Sequence, residues 1–352
     1  MKIGIALSGG GIRATVFHLG VFKGLAEKGL LSQVTHISSV SGASLCVALI
    51  FAKNRHVWPS NEGYLEKVLP DIEKTVLNNN IQTAALLKLP FSPLYWGNKA
   101  ALIARVMEDK WRITGSLQDL PDTPVWEINC TTFETGKNFR LSKRQMGDYQ
   151  IGYVNQPNFP IAGAAAASAG FPILIGPLKL DAAQYQWNKK PRESIYYLWD
   201  GGVYDNMGIE ALYKPGRGLV EGTDFLIVSN ASCPSGYLHR NGFSSAKNLK
   251  RLLDITMDQV GALRSRELFA NVLKQNQGLY VNIGNSAEKI ASDSKIDEAA
   301  KRKLIESCMS PEQAQFVRGY ETTLNSPTPE NYRLILRHGY ENALCTCTCY
   351  MK

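Results

Sequence analysis

Three short runs in this sequence have the residue types and spacing to do chemistry. The first is Ser8-Gly9-Gly10-Gly11-Ile12-Arg13. Glycines between a strand and a helix let backbone N–H groups converge on an anion, and a helix N-terminus adds partial positive charge. Two chemistries use that arrangement: binding a phosphate, or holding a developing oxyanion. A phosphate loop would continue to Lys-Ser or Lys-Thr, which is absent here. The dinucleotide pattern G-x-G-x-x-G is met at Gly9 and Gly11, but Ala14 takes its last place. The second run is Ser39-Val40-Ser41-Gly42-Ala43. Serine hydrolases of the α/β type present their nucleophile on a sharp strand-to-helix turn, usually G-x-S-x-G. Ser39 and Ala43 are small enough for the close approach that glycine normally permits there. Ser44 is a rival, but Ser41 falls at the strand end, whereas Ser44 would already lie in the helix. The third run is Asp200-Gly201-Gly202, directly after an apolar strand. A carboxylate at such a strand end is well placed for an active site, and Asp205 is its nearest competitor.

The elements around these runs follow from periodicity. Residues 3–7 form a short strand, and residues 14–28 show helical spacing with Phe17, Val21 and Leu25 on one stripe before Gly29. Residues 34–40 read as a second strand running into an apolar helix at 45–53. This β-α-β-α opening predicts an α/β sheet with mainly parallel strands. From about 55 to 120 the pattern loosens into helical stretches separated by prolines, which reads as an insertion or lid. Strands are expected at 125–132, 138–141, 172–175, 224–229 and 278–283, with a hairpin pairing 184–186 with 195–199. A buried helix is expected at 161–169, and helices over 244–275 and most of 296–338.

In order and context the three runs resemble the patatin-like phospholipase family, with its G-G-G-x-R loop, serine elbow and late D-G-[GA] motif. Ala167-Ser168-Ala169-Gly170-Phe171-Pro172 and the stretch from Asp200 to Gly208 also look like that family. The resemblance covers about residues 3–230. It implies a three-layer α/β/α sandwich with a mainly parallel central sheet, a helical insertion and a mostly helical C-terminal part. It also implies a lipid acyl hydrolase acting through a Ser-Asp dyad. On that resemblance Ser41 is the nucleophile, Asp200 its base, and the amides of Gly9, Gly10 and Gly11 the oxyanion hole, with Gly42, Gly201 and Gly202 in support. Arg13 would brace the glycine loop or hold a lipid phosphate. The expected organisation is a catalytic domain over 1–240 and a helical extension over 241–352. Two other readings stand beside this one: a lipid-binding relative whose altered elbow turns over weakly, and a nucleotide-binding α/β domain using the glycine loop.

Composition narrows the partners. The chain has 352 residues, of which 44% are hydrophobic and 20% charged, so it has ample material for a buried core. The net charge of +8 suits an anionic surface. The groups Lys143/Arg144, Lys189/Lys190/Arg192, Lys247/Lys250/Arg251 and Lys301/Arg302/Lys303 would serve peripheral contact with an anionic membrane. None is interleaved with aromatics, so nucleic acid is not expected. On the family resemblance, phospholipid or another lipid ester is the expected substrate. The five histidines show no paired metal spacing, and neither metal nor cofactor is expected. His239 follows Asp200, so a Ser…Asp…His triad is formally available. Four scattered cysteines in mostly apolar surroundings and the absence of a secretory leader point to the cytoplasm. Cys345, Cys347 and Cys349 alternate in a way unsuited to zinc and read as an unspecialised tail.

Overall fold

The computed structural model describes residues 1–172, 175–234, 236 and 245–351. Its centre is a ten-stranded mixed sheet between helices. The strands are β1 (Ile3–Leu7), β2 (Val34–Val40), β3 (Val125–Thr132), β4 (Asn138–Leu141), β5 (Gln145–Asp148), β6 (Gly152–Asn155), β7 (Leu178–Asp181) and β8 (Ile195–Asp200), followed by β9 (Tyr213–Lys214), β10 (Gly218–Leu219), β11 (Phe225–Asn230) and β12 (Gly278–Asn282). The order β12-β11-β1-β2-β3 is parallel throughout. Beyond β3 the sheet turns antiparallel through β4, β5 and β6, and β8 joins β3 with β7 beside it. β9 and β10 pair separately. The α/β sandwich expected from the sequence is present. Its parallel half carries the glycine loop and the serine turn.

The parallel half is apolar because both faces are covered. Every residue of β1 is buried, as strands covered on both faces require. Helix α1 (Gly11–Glu27) follows β1, and α2 (Gly42–Lys53) follows β2. Both are buried nearly all round, so neither shows a polar face. The insertion contains the helices Leu69–Asn78, Ile81–Lys88 and Lys99–Val106. The small-residue helix α3 (Ile161–Ser168) is wholly buried.

Two expectations of detail change. The partner of β8 is Leu178–Asp181, not residues 184–186, which are taken up by a 3₁₀ turn at Ala182–Gln184 and its exit. Alternation decides it: Leu178 and Leu180 point inward while Lys179 and Asp181 are exposed. The strand expected at 172–175 falls partly outside the described residues, and Pro172 and Ile175 are turn residues.

The C-terminal helix α4 (Pro329–Tyr350) runs through the cysteine tail, well past the predicted end at 338. Thr and Cys are indifferent helix formers, so packing has to supply the stability. It does so against α1. A Cβ on Gly20 would lie 2.0 Å from the Leu336 carbonyl oxygen, and one on Gly339 would lie 2.0 Å from that of Phe17. The two backbones touch where glycine leaves room. Cys347 is buried in the main core, and Cys345 is buried on the helix's other contacts, against Ala287, Ile290 and Cys308. Among the described residues, no helix is long and apolar enough to cross a membrane.

Candidate active site

The site is created by how β2 and β8 share one edge of β3. β2 runs parallel to β3 and ends with Val40 opposite Asn129. β8 runs antiparallel to β3 and ends with Asp200 opposite Cys130, the next residue along. The two strands therefore meet with their C-terminal ends facing, and Ser41 and Asp200 are brought together from opposite directions.

Ser41 occupies a sharp turn at φ 54°, ψ −122°. A non-glycine residue there costs on the order of 1–3 kcal/mol unless its surroundings hold it. Several contacts do. Its N–H donates to Ser168 Oγ at 3.0 Å, and its carbonyl accepts from Ser44 N–H at 2.8 Å. The following residue must be glycine, because a Cβ on Gly42 would lie 2.0 Å from the Gly11 carbonyl oxygen. The Thr15 hydroxyl also links these two turns, lying 2.8 Å from the Gly42 oxygen and 3.1 Å from the Gly11 oxygen.

The two departures from the glycine pattern are accommodated. The Ser39 hydroxyl accepts from Trp126 Nε1 at 2.8 Å and contacts Ser44 Oγ at 2.8 Å. Ala43 is fully buried. Ser44, the rival nucleophile, is fully buried and tied to Ser39 and Ser168. Ser41 retains 9% exposure, and its hydroxyl is near enough to the Asp200 carboxyl to favour the ionised form.

Burial pushes the Asp200 carboxyl up to about 7, against the pull of hydrogen bonds from Gly202 N–H and the Ser41 hydroxyl. The Gly202 bond measures 2.7 Å. The glycines of this loop are needed for space: a Cβ on Gly201 would lie 2.3 Å from the Asn129 carbonyl oxygen, and one on Gly202 would lie 2.7 Å from Asn206 Oδ1. Asp205 is differently committed. It is buried, and its carboxyl accepts from Met207 N–H at 3.1 Å and Glu210 N–H at 3.0 Å.

The glycine loop lies against Ser41. A Cβ on Gly9 would sit 3.0 Å from that of Ser41. Gly10 and Gly11 have φ 143° and 60°, in the region that favours glycine. The three amides differ. The Gly9 N–H donates to the Asn206 carbonyl at 3.0 Å. Among the described residues, no protein acceptor takes the Gly10 or Gly11 N–H. Arg13 is buried and donates to the carbonyls of Tyr320 and Ala231, so the partners present are those of a brace.

His18 and His338 make their contacts elsewhere. His18 is buried between the Ser8 carbonyl and the Ser229 hydroxyl, and burial pushes it down to about 4. His338 contacts the Ile283 carbonyl. His239 lies outside the described residues. Among the described residues, no cluster of side chains could hold a metal ion.

Three residues in the site had no sequence signal of their own. Ser168 supports the Ser41 amide and donates to the Asn129 carbonyl at 2.7 Å. Asn129 donates to the Ser39 carbonyl at 3.0 Å. Asn206 joins the Asp200 loop to the glycine loop through Gly9 and donates to Ser232 Oγ at 2.8 Å. Ser168 and Asn206 lie in stretches that resemble the family text, but only the fold reveals what they touch.

Comparison with known proteins agrees with the fold. The family model of the patatin-like phospholipase matches residues 5–213. A 72-residue stretch is 38% identical to mouse cytosolic phospholipase A2 gamma, covering 20% of this chain and 11% of that protein. The structure of human GIVD cytosolic phospholipase A2 superposes with a TM-score of 0.56 at 14% identity, covering 98% of this chain and 58% of that one. The same human protein in complex with a methyl γ-linolenyl fluorophosphonate inhibitor and terbium chloride gives a TM-score of 0.53, with 57% of that chain covered. The chain thus spans less than two thirds of the length of these relatives, and at such low identity the structural likeness concerns the fold. With the family model spanning the glycine loop, the serine turn and the Asp200 loop, this chain belongs to the patatin-like phospholipase family.

Proposed function

We propose that this protein is a serine lipid acyl hydrolase of the phospholipase A or lysophospholipase type. The observation that carries the reading is Ser41, held at positive φ on a strand-to-helix turn where β2 and β8 end facing each other and bring it to the buried Asp200 carboxyl. Membership of a phospholipase family supports it. So does the human relative's complex with a methyl γ-linolenyl fluorophosphonate inhibitor.

In this mechanism the ester carbonyl enters beside Ser41. As Ser41 Oγ attacks the carbonyl carbon, Asp200 accepts its proton. Charge develops on the carbonyl oxygen, and the Gly10 and Gly11 amides hold it. The Gly9 amide is already occupied, so Gly9 contributes the turn and not a donor. Collapse of the tetrahedral species expels the alcohol part of the lipid, which takes the proton from Asp200. Water then attacks the acyl-serine with Asp200 again as base, releasing fatty acid and restoring Ser41. A base near 7 suits both directions of transfer at neutral pH.

The nucleotide reading loses ground because the loop lacks the Lys-Ser/Thr continuation and two nearby amides, Gly9 and Ile12, are taken by the Asn206 and Thr323 carbonyls. The weak-relative reading rested on Ser39 and Ala43, which fit without displacing Ser41. We further propose peripheral contact with anionic membrane from a cytoplasmic location, on the strength of the net charge of +8. The test is incubation with mixed phospholipid vesicles and mass spectrometry of the products. Free fatty acid with the matching lysolipid is expected from the unaltered protein and not from Ser41→Ala. Equal release by both would remove Ser41 from the mechanism.

A further inference from the structure

We infer that residues 320–326, between the helix Pro311–Gly319 and α4, form a strap that positions the oxyanion donors and ties them to the helical insertion. The inference rests on the acyl-hydrolase reading above.

A loop with Gly10 and Gly11 at φ 143° and 60° has little local preference for one shape. Amides that must hold one direction therefore need fixing from outside. The strap does this from the far end of the chain. The Thr323 carbonyl accepts the Ile12 N–H at 2.8 Å, one of the four amides a helix leaves unpaired at its start. The strap backbone also lies directly on Gly11, where a Cβ would be 2.4 Å from the Thr323 oxygen. Two residues along α1, Arg13 donates to the Tyr320 carbonyl and, at 3.2 Å, to that of Ala231. The loop is thus gripped through Ile12, Gly11 and Arg13. Because Thr323 takes the Ile12 amide and Asn206 takes that of Gly9, the amides of Gly10 and Gly11 are the ones left without a protein acceptor among the described residues.

The other end of the strap holds the insertion. Leu324 N–H donates to Gln82 Oε1 at 2.7 Å, and Ser326 Oγ donates to the Val76 carbonyl at 2.7 Å. Asn80 Nδ2 donates to Asn325 Oδ1 at 3.3 Å. Leu324 is buried, which fixes the strap between its two partners. Any shift of the segment 76–82 is therefore transmitted through Leu324 and Thr323 to the first turn of α1. Gln82 and Ser326 are positioning residues on this account, since they touch neither Ser41, Asp200 nor the glycine loop.

The test uses the full chain carrying Gln82→Ala and Ser326→Ala together, with a soluble p-nitrophenyl ester. Misplacement by about 1 Å can cost ~10²-fold, and loosening the strap is expected to lower kcat by about tenfold with KM unchanged within about twofold. A second readout is the rate ratio between the ester and its thiono analogue, whose C=S is a poor hydrogen-bond acceptor. That ratio should fall in the double variant, because weaker oxyanion donors discriminate less. Should the double variant fail to fold, Ser326→Ala alone is expected to give the same pattern at about threefold. A folded variant with wild-type kcat and ratio would overturn the strap's role, as would a loss of activity that only tracks the folded fraction with the ratio unchanged. Absence of Ser41-dependent turnover in the unaltered protein would overturn the acyl-hydrolase reading itself, and the strap's role with it.

Discussion

Replacing Asp200 with asparagine should make the protein more stable and nearly inactive, and the gain in stability should depend on pH. The carboxyl is raised from 3.8 to about 7 by burial. A folded-state value above the unfolded one means that the folded protein binds more protons between those limits. The stability this group contributes is then fully present below 3.8 and lost as pH rises through about 7. The interval corresponds to a ceiling of about 4 kcal/mol. Relaxation and water entry around the ionised group bring the expected change to about 1–2 kcal/mol. Asparagine has nearly the same shape and can still accept from Gly202 N–H, so it removes the charge and little else. Thermal melts of D200N and wild type should diverge from near zero difference at low pH to about 1–3 °C in favour of D200N at high pH. Hydrolysis by D200N should fall by about 10²–10⁴, the usual contribution of a positioned base. In the wild type, kcat/KM should decline about tenfold per pH unit below about 7, as the base becomes protonated. A melting difference that ignores pH would refute the burial explanation, and a D200N protein with ordinary turnover would remove Asp200 from the chemistry.

Other substitutions test neighbouring parts. Gly10→Val, at φ 143°, should rotate the amides and cost ~10²–10³ in rate with a modest loss of stability. Gly42→Ala places a methyl 2.0 Å from the Gly11 oxygen, so thermal melts should show a loss of about 1–3 kcal/mol and assays a large loss of rate. Asp205→Asn disturbs bonds to Met207 and Glu210 that lie outside the proposed dyad. It should lower the melting temperature while retaining most turnover in a steady-state assay. Sedimentation with vesicles should be stronger for anionic than for neutral lipid at low salt, and the difference should shrink as salt rises.

The readable parts of this molecule were local. The glycine loop, the serine turn and the Asp200 loop each announce themselves within a few residues, and the β-α-β-α opening follows from periodicity. The meeting of Ser41 with Asp200 does not, because it depends on β8 entering antiparallel where β2 leaves off along β3. The hairpin expected between 184–186 and 195–199 has its partner strand earlier, because the inward Leu178 and Leu180 set the pairing. The cysteine tail carries no motif, and helix propensity does not announce it. Its helix exists because Gly20 and Gly339 allow α1 and α4 to approach closely. The strap at 320–326 has no motif, since its main contacts with the glycine loop are backbone carbonyls, which any residue supplies.

The most direct test of the central claim is covalent labelling with a fluorophosphonate, followed by peptide mass spectrometry. The account predicts a single adduct on Ser41, formed more slowly below about pH 7 where Asp200 is protonated, and absent in Ser41→Ala. An adduct on Ser44, or equal labelling of the folded Ser41→Ala protein, would contradict it.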